Sequence, residues 1–339
     1  MRYIIDISPE IDGQIRNLIF EKRYLSVYQF VSRAVEEMLH IENQDIDNKE
    51  VVSLTKDGGS IISNRPLCLK RPNSEPSNLS VAHKMSELWE GDPEEIPWLW
   101  GQINSVLSVK FILRFLGVKQ IEIQNEPLKL SEIRLLIEDF GIKMGEYLAM
   151  VDEKSGRSRD ARFSVSFPKN SEKSRSRFVS QYLGYLDSKQ CPRGALVWLG
   201  FARITGKRGT EAISLTPAGF HFGKLQNPLI DNEQSDVPQA VLTEEEARFY
   251  LRHVLEHAPC EGRALKTICR LIKEGYNGPQ TLDIALRKEK PEWSDAEVIT
   301  YKGGALARMY QLGLISKKKM DSGNIVYELT NMVYEIDLL

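Results

Sequence analysis

Residues 194–216 read GALVWLGFARITGKRGTEAISLT, and this stretch decides which secondary structures the chain combines. It begins with a short apolar run, passes a Leu-Gly pair, and ends in two further runs separated by a polar segment, residues 206–209. In the last run Ile213 and Leu215 alternate with smaller residues, as in a half-buried β-strand. The glycines of the polar segment suit a tight turn, because glycine adopts positive φ without steric cost. The stretch therefore predicts a short helix followed by a β-hairpin.

A second copy of this pattern lies about 110 residues further along the chain. Residues 304–330 read GALARMYQLGLISKKKMDSGNIVYELT, so they repeat the Gly-Ala-Leu start, the Leu-Gly pair and the final Leu-Thr. Helical patterns precede both copies, among them a strong apolar run over residues 106–116. We therefore expect a mainly α fold with small β elements (α+β), in which residues 81–232 and 240–339 form two similar domains.

These helix–hairpin units resemble winged-helix domains. In that family the helix before the hairpin usually enters the major groove of DNA, and the hairpin, or wing, touches phosphates. The resemblance places Arg193 at the first such helix, and Lys302 and Arg308 at the second. It assigns phosphate contacts to the cations of both hairpins, which are Arg203, Lys207, Arg208, Lys317, Lys318 and Lys319. Winged helices also serve as protein-binding modules, so contact with protein stays open beside contact with DNA.

Residues 1–42 form a unit of different character. Residues 2–7 have the pattern of a short strand, and Ser8 with Pro9 indicates the start of the first of two short amphipathic helices. A unit this small buries too little apolar surface to be stable alone, and its single strand leaves backbone groups unpaired. We expect a homodimer through this segment, followed by a flexible linker, residues 43–80, rich in Pro, Gly, Ser and Asn.

The same segment resembles a ribbon-helix-helix domain, a family of dimeric DNA-binding proteins whose paired strands enter the major groove. Strand alternation puts Arg2, Ile4 and Asp6 on the groove side, and the resemblance places Ser26 near a phosphate. Asp6 is unfavourable beside phosphates, and Ile4 cannot hydrogen-bond a base. The ribbon therefore supports dimerisation more strongly than base reading, and a role in dimerisation alone stays open.

The strongest local charge lies in residues 154–177, which carry a net charge of +6 with serines interleaved. Arginine side chains and serine hydroxyls are suited to phosphate oxygens, so we expect phosphate binding here, with a solvated loop as the alternative. Phe163, Val165 and Phe167 alternate as in a strand, and Ser171 is expected to cap the helix that follows. The cations expected to contact phosphate are Arg157, Arg159, Arg162, Lys173, Arg175 and Arg177.

The composition of the whole chain limits its location and its partners. The 339 residues carry a net charge of −2, so the chain is not a general basic coat for nucleic acid. No apolar run is long enough for a membrane span, and the N-terminus lacks the pattern of a signal peptide. The four cysteines are widely spaced, which fits neither a zinc site nor a disulfide framework. We expect a cytoplasmic protein with no membrane partner.

Patterns that indicate chemistry are weak in this sequence. His253 and His257 share a helix face with Cys260 nearby, but no second cluster completes a metal site, so an ordinary charged helix surface is the better interpretation. Asp283 and Glu289 have poor spacing for the carboxylates of a metal-dependent nuclease. No nucleotide-binding loop, nucleophile elbow or triad pattern is present. The sequence predicts no cofactor, no metal and no enzymatic activity.

Together these patterns favour a homodimeric, sequence-specific DNA-binding protein, a regulator of transcription, that contacts duplex DNA through its ribbon and its wings. The alternative is a non-catalytic adaptor or scaffold subunit of a DNA-processing or phage-defence complex, in which the winged helices bind other protein subunits. The basic segment favours the first function, whereas Asp6 and the near-neutral net charge favour the second. A nuclease subunit is a third and weaker option.

Overall fold

In a computed structural model of the chain, the described residues are 69–72, 74–92, 95–123, 127–157, 161–231, 240–320 and 323–339. The expected ribbon-helix-helix segment, with Arg2, Ile4, Asp6 and Ser26, lies outside these ranges, as do most of the expected linker and Arg159. The described part is mainly helical with small antiparallel sheets. This confirms the expected fold class, mainly α with small β elements.

The first half of the described chain combines long helices with very short strands. Its helices are α1 (Met85–Leu88), α2 (Val106–Glu122), α3 (Leu130–Lys154), α4 (Glu172–Tyr182), α5 (Ala195–Trp198), α6 (Pro217–Lys224) and α7 (Pro228–Asp231). Its strands are β1 (Leu128–Lys129), β2 (Tyr185–Leu186), β3 (Pro192–Arg193), β4 (Ala202–Thr205) and β5 (Ala212–Leu215). A 3-10 turn, Ser164–Ser166, lies between α3 and α4.

The second half consists of a run of helices, one hairpin and a terminal helix. Its helices are α8 (Glu244–His257), α9 (Pro259–Lys273), α10 (Pro279–Glu289), α11 (Asp295–Gln311) and α12 (Asn331–Glu335). Its hairpin is formed by β6 (Ile315–Lys319) and β7 (Ile325–Leu329). The order of helix, hairpin and short helix is therefore the same at the end of both halves.

Helix α2 lies in the middle of the core because its sequence is apolar on nearly every side. Ser105 caps its start by accepting a hydrogen bond from the amide of Ser108 at 3.2 Å. Every residue from Val106 to Gly117 is buried. Helix α6 packs directly along α2, where a Cβ added at Gly223 would lie 3.0 Å from the backbone of α2. The expected helix over residues 106–116 is confirmed.

The sheets are antiparallel and small. Strands β1, β5 and β4 form a sheet in that order, with Ala202 opposite Leu215 in the β4–β5 hairpin. Strands β6 and β7 pair from Ile315 opposite Leu329 to the end of β6. Strands β2 and β3 form a two-residue ladder that sits between α4 and α5 in the chain.

The two hairpins share one local geometry, as the sequence repeat indicates. Gly200 and Gly313 both adopt positive φ, at 72° and 70°. The hydroxyl of Thr216 donates a hydrogen bond to the carbonyl oxygen of Gly200 at 2.9 Å, and that of Thr330 donates to Gly313 at 2.5 Å. A helix begins directly after each threonine. The same two groups, a glycine and a threonine, therefore set the turn between helix and hairpin in each half.

Buried ion pairs join segments that are distant in the sequence. The Nζ atom of Lys110 on α2 lies 2.9 Å from Glu246 on α8. The guanidinium of Arg308 on α11 donates two hydrogen bonds to Glu261 on α9 and another to the carbonyl oxygen of Ile103. Buried charges require such partners, because burial removes their hydration. These contacts tie α2 and the segment before it to the helices of the second half.

The basic segment differs in part from its expected structure. The strand expected over residues 163–167 is wrong, because Ser164–Ser166 form a 3-10 turn with the rings of Phe163 and Phe167 buried on either side. The expected cap is confirmed, since Ser171 accepts a hydrogen bond from the amide of Ser174 at 3.4 Å and α4 begins at the next residue.

The described end of the expected linker packs on the core. Leu69 is buried, and its carbonyl oxygen accepts a hydrogen bond from Arg114 at 3.0 Å. The amide of Ser80 donates to the carbonyl oxygen of Leu215 on β5 at 2.8 Å. Among the described helices, none is both long and apolar enough to cross a membrane.

Candidate nucleic-acid interface

A cleft of about 560 Å³ lies between the basic segment and the second hairpin unit. Its walls are built by the loop after α3, the start of α8, the end of α11 and strand β6. We call it the basic cleft. Its charged and aromatic lining residues are Arg157, Arg162, Phe163, Glu244, Tyr310 and Lys317.

Asp152 holds the wall that carries Arg157. Its buried carboxylate accepts hydrogen bonds from the amides of Phe163 and Ser164, at 2.8 and 3.0 Å, and from the Ser164 hydroxyl at 2.7 Å. These bonds keep the Phe163 ring against the guanidinium of Arg157, whose Cζ lies 3.8 Å from the ring centroid. A cation stacked on an aromatic face is attracted by the ring quadrupole. Arg157 is therefore held in one orientation beside the basic cleft.

The opposite wall presents Lys317 from β6. Its Nζ lies 4.9 Å from the ring centroid of Tyr310, near the end of α11. Side chains alternate along a strand, so Lys319 shares a face with Lys317, and Lys318 lies on the other face. Lys318 lies 3.3 Å from Glu328 on β7. The row of Lys317 and Lys319 thus extends the positive charge of the basic cleft along the hairpin.

The basic cleft is positive on balance. Three of its lining side chains are cations, and Glu244 is the carboxylate among the described lining residues. Glu244 already accepts a hydrogen bond from Nε of Arg248 at 2.7 Å. Arg162 is exposed to solvent. Cations gathered in a partly enclosed site suit a ligand that carries phosphates.

The floor of the basic cleft ties its two walls together. Gln311, at the end of α11, accepts hydrogen bonds from the amides of Val106 at 2.8 Å and Leu107 at 3.3 Å. These amides belong to the first turn of α2 and have no partner within their own helix. A side chain of α11 thus caps α2, and this contact fixes the spacing between the two halves at the cleft.

Several predicted cations are exposed outside the basic cleft. Lys207 and Arg208 lie in the turn between β4 and β5, and Lys173 and Arg177 lie four residues apart on α4. Arg175 is half-buried; burial raises the pKa of the nearby Glu138, and the charge of Arg175 opposes that rise. Phosphate contact by these side chains stays a prediction.

Two cations that the winged-helix resemblance assigns to DNA are buried. Arg308 is 1% exposed and is held by Glu261. Lys302 is 8% exposed, and its Nζ donates to the carbonyl oxygen of Pro279 at 2.9 Å and lies 2.5 Å from Asp283. Both cations therefore pack helices together in this structure, and neither is placed to reach a phosphate.

The remaining predicted arginines near the first hairpin are partly buried and paired. Nε of Arg193 donates to Asp187 at 2.9 Å, and Nη2 of Arg203 donates to Glu87 at 3.1 Å. Helices α5 and α11, which the winged-helix resemblance places in the major groove, also expose no cation. All four residues of α5 are buried, and α11 exposes Ile299 among its outward residues.

The rings and the amide that complete the basic cleft are not predictable from the sequence. The alternation of residues 163–167 predicts a strand, and no pattern indicates a role for Tyr310 or Gln311. In each ring–cation pair, Arg157 with Phe163 and Lys317 with Tyr310, the two residues lie on opposite sides of a turn. Neither strand alternation nor helix spacing therefore indicates the contact. The contact of Gln311 with Val106 joins residues that are far apart in the sequence, which no local pattern can show.

His253 on α8 stabilises packing. The ring of His253 stacks on Phe201 with centroids 4.5 Å apart, and its Nε2 lies 2.8 Å from the carbonyl oxygen of Leu199. Burial lowers the pKa of His253, which its hydrogen bond to Leu199 partly opposes. Cys260 is buried on α9. In the part of the chain that the structure describes, no group of three or more His, Cys, Asp or Glu is placed to hold a metal ion.

Comparisons of the chain with protein-family models, with curated proteins and with solved structures found no match. The function is therefore inferred from the geometry and charge of the described residues.

Proposed function

We propose that this chain is a DNA-binding protein, a homodimeric regulator of transcription, whose basic cleft and second hairpin contact the phosphates of duplex DNA. The observation that carries the proposal is that Arg157 and Arg162 line the same cleft as Lys317. These cations come from segments far apart in the sequence, and like charges gathered at one site repel each other. Glu244 in the lining and Asp152 beside Arg157 balance only part of this charge, and phosphate oxygens would balance the rest.

The orientation of the cations supports phosphate as the ligand. The guanidinium of Arg157 is stacked on Phe163, and its Nε lies 3.9 Å from Oδ1 of Asp152. A guanidinium held in one plane suits contact with phosphate, because its donors form a rigid fork. Lys317 and Lys319 add point charges along β6. Each phosphate that is neutralised releases counterions, so the proposed binding weakens steeply as salt rises.

The order of elements supports a winged-helix architecture for both halves. In the first half, α2, β1 and α3 to α5 precede the β4–β5 hairpin, and β1 pairs with β5. In the second half, α9 to α11 precede the β6–β7 hairpin. In this proposal the wings, and not the preceding helices, contact DNA, because α5 is buried and the cations of α11 are engaged within the core.

Sequence specificity requires contacts other than these, because phosphate contacts position a protein without reading bases. We assign base reading to residues 1–42, as a ribbon formed by two chains on a two-fold symmetric site. Such binding needs neither a cofactor nor catalysis. The proposed location is the cytoplasm, in line with the widely spaced cysteines.

A salt series tests the proposal. The full chain is titrated onto a fluorescently labelled duplex in the presence of random-sequence competitor, at several salt concentrations. The triple variant Arg157→Gln/Arg162→Gln/Lys317→Gln should bind more weakly, and its plot of log affinity against log salt should be flatter. The expected loss of slope is about 0.9 for each phosphate contact removed.

A matched control removes the same charge elsewhere. Lys266, Lys273 and Lys288 are exposed on α9 and α10, away from the lining of the basic cleft. The triple variant Lys266→Gln/Lys273→Gln/Lys288→Gln should keep the slope of the unmodified chain. The proposal fails if the full chain shows no duplex binding at low salt, or if both triple variants lose the same slope.

The adaptor function is the second candidate, and one observation favours it. Ile284 on α10 and Ile299 on α11 are 54% and 56% exposed. Exposed apolar side chains on the helices that precede a wing suit contact with another protein. If the salt series shows no duplex binding by the full chain, Ile284 and Ile299 are the first side chains to test for contact with another protein.

A further inference from the structure

A second pocket, of about 420 Å³, lies among aromatic side chains between α5 and α11. We call it the aromatic pocket. Its volume falls within the range of small-molecule sites, about 300–1,000 Å³. It shares no lining residue with the basic cleft, and the proposed DNA contact does not use it. Its aromatic and charged lining residues are Trp98, Trp100, Tyr185, Arg193, Trp198 and Tyr301.

The rings of the aromatic pocket hold one another in place. Trp98 meets Trp293 edge to face with centroids 5.0 Å apart, and Trp100 meets Tyr301 in the same way at 5.6 Å. Trp293 and Tyr301 are 4.7 Å apart. Edge-to-face contact is a favoured arrangement of aromatic rings. The walls are therefore formed before any ligand enters.

Two glycines allow the tryptophan segment to lie directly on α11. A Cβ added at Gly101 would lie 1.9 Å from the carbonyl oxygen of Thr300, and one added at Gly304 would lie 2.1 Å from the carbonyl oxygen of Gly101. Neither position accepts a larger residue without movement of the backbone. This close crossing places Trp98 and Trp100 beside Tyr301.

The aromatic pocket leaves large ring surfaces open. Trp100 is 43% exposed and Tyr185 is 41% exposed. Exposed aromatic area at a preformed pocket favours a ligand that stacks on it, because stacking removes that area from water. A flat ligand uses these surfaces best.

The hydrogen-bond donors of Arg193 indicate the sign of the ligand of the aromatic pocket. Arg193 is the one ionised side chain among the described lining residues. Its guanidinium lies 5.8 Å from the ring centroid of Trp198, and its Nε donates to Asp187 at 2.9 Å. Its two terminal nitrogen atoms make no hydrogen bond to the described part of the chain. These donors suit an anion, because the Asp187 carboxylate engages only Nε of the guanidinium.

We infer that the aromatic pocket binds a flat heteroaromatic anion. The ring system of the ligand stacks on Trp100 and Tyr185, and its phosphate or carboxylate pairs with the terminal nitrogen atoms of Arg193. Pairs of this kind between a guanidinium and an oxyanion are among the stronger hydrogen bonds in proteins. The inference does not depend on DNA binding, since it uses none of the residues of the basic cleft.

Tryptophan emission gives a direct test on the full chain. Four of the five tryptophans, Trp98, Trp100, Trp198 and Trp293, lie in the aromatic pocket or against it. The probes are adenosine 5′-monophosphate and nicotinate, which are heteroaromatic anions with a phosphate and a carboxylate. Ribose 5-phosphate is the anion without a ring, and tetramethylammonium is the cation. We expect saturable quenching by at least one heteroaromatic anion and none by the other two probes.

Calorimetry on variants assigns the binding to the aromatic pocket. Trp100→Leu and Arg193→Gln should each weaken binding of the effective probe by about tenfold or more, since tenfold corresponds to about 1.4 kcal/mol. Trp89→Leu removes the tryptophan outside the pocket, and Arg287→Gln removes an exposed arginine paired with Asp295. Both of these controls should bind the probe as the unmodified chain does. Circular dichroism checks that every variant is folded.

The outcomes separate the sources of the anion and can overturn the inference. Tighter binding of adenosine 5′-monophosphate identifies a phosphate ligand, and tighter binding of nicotinate identifies a carboxylate ligand. The inference is overturned if neither binds at millimolar concentration, or if ribose 5-phosphate binds as well as the heteroaromatic anions. Preferential binding of tetramethylammonium, or unchanged binding by both pocket variants, also overturns it.

Discussion

The Nζ atom of Lys110 lies 2.9 Å from Oε1 of Glu246, and both side chains are completely buried. Lys110 also donates to the carbonyl oxygens of Phe222 and Leu225, and Glu246 accepts from the amide of Thr243 at 2.7 Å. Hydrogen bonds around both ions compensate for the water that each has lost. The pair joins α2 to the first turn of α8, so it fixes where the second half of the fold docks.

Removing the lysine alone should destabilise the fold strongly. Lys110→Met leaves the carboxylate of Glu246 buried without its cation, which typically costs about 3–5 kcal/mol. Adding Glu246→Gln removes the orphaned charge and keeps the side chain that caps α8, so the double variant should recover most of the loss. Urea denaturation measures both free energies of unfolding. Lys119→Met, which breaks an exposed pair with Glu122, serves as control and should cost less than about 1 kcal/mol.

The same lysine predicts a dependence of stability on pH. Burial lowers the pKa of Lys110 from 10.5 to about 8, and Glu246 only partly opposes the shift. Between these two values the unfolded chain holds a proton on Lys110 that the folded chain has released. The free energy of unfolding should therefore rise with pH between about pH 8 and pH 10.5 because of this group, and it should not change with the titration of this group below pH 8.

Comparison with a variant isolates this contribution from other groups that titrate in the same range. The double variant Lys110→Met/Glu246→Gln lacks the titrating amine. The stability of the unmodified chain, minus that of the double variant, should increase by a few kcal/mol, roughly, between pH 7 and pH 10. A difference that stays constant over this range would contradict the lowered pKa of Lys110.

The helix–hairpin units were predictable because their determinants are local. The turn at Gly200 and the hydroxyl of Thr216 act within a short stretch of chain, and the copy at Gly313 and Thr330 repeats the same letters. A sequence pattern of this kind therefore includes both the glycine that adopts positive φ and the threonine that donates the hydrogen bond. The helix over residues 106–116 was predictable for a similar reason, as one continuous apolar run.

The functional site was less predictable because exposure depends on distant partners. Arg308 and Lys317 look equally suited to phosphate in the sequence, yet Arg308 is buried against Glu261 on another helix. Nothing near Arg308 in the sequence reveals that carboxylate. Strand β1 was missed for a related reason, since its two residues are extended only because they pair with β5.

Adjacent glycines on α11 should respond in opposite directions to substitution by alanine. A Cβ at Gly304 would lie 2.1 Å from the carbonyl oxygen of Gly101, whereas a Cβ at Gly303 meets nothing within 4 Å. Gly304→Ala should therefore cost about 1–3 kcal/mol or more through overpacking. Gly303→Ala should stabilise the fold by up to about 1 kcal/mol, because alanine favours a helix. Thermal and urea denaturation measure the change in stability of each variant. Changes of the same sign in the two variants would contradict this prediction.

Substitution of Asp152 should affect both the stability of the fold and DNA binding at the basic cleft. Its two oxygens accept hydrogen bonds from the amides of Phe163 and Ser164, and an asparagine has one acceptor oxygen in place of two. Asp152→Asn should cost about 1–3 kcal/mol, because it leaves a buried amide without its acceptor. It should also weaken duplex binding, since the Phe163 ring no longer holds Arg157.

An exposed aspartate on the same helix provides the control for that prediction. Asp139 forms a surface pair with Lys143 on α3, so Asp139→Asn should change stability by less than about 1 kcal/mol. Duplex binding by the Asp139→Asn variant should depend on salt in the same way as binding by the unmodified chain. Equal effects of the two substitutions on binding would show that the loop held by Asp152 does not position the contact.

Deleting residues 1–42 should separate dimerisation from phosphate contact. We expect the full chain to sediment as a dimer and the truncated chain as a monomer, because the small N-terminal unit needs a second copy to bury its apolar surface. Residues Arg65–Leu339 form a unit of their own, so the truncated chain should keep its fold. It should also keep salt-dependent binding through the basic cleft, but more weakly, since linking two sites raises the effective concentration of the second. A truncated chain that still sediments as a dimer would place the dimer contact in the described part of the fold.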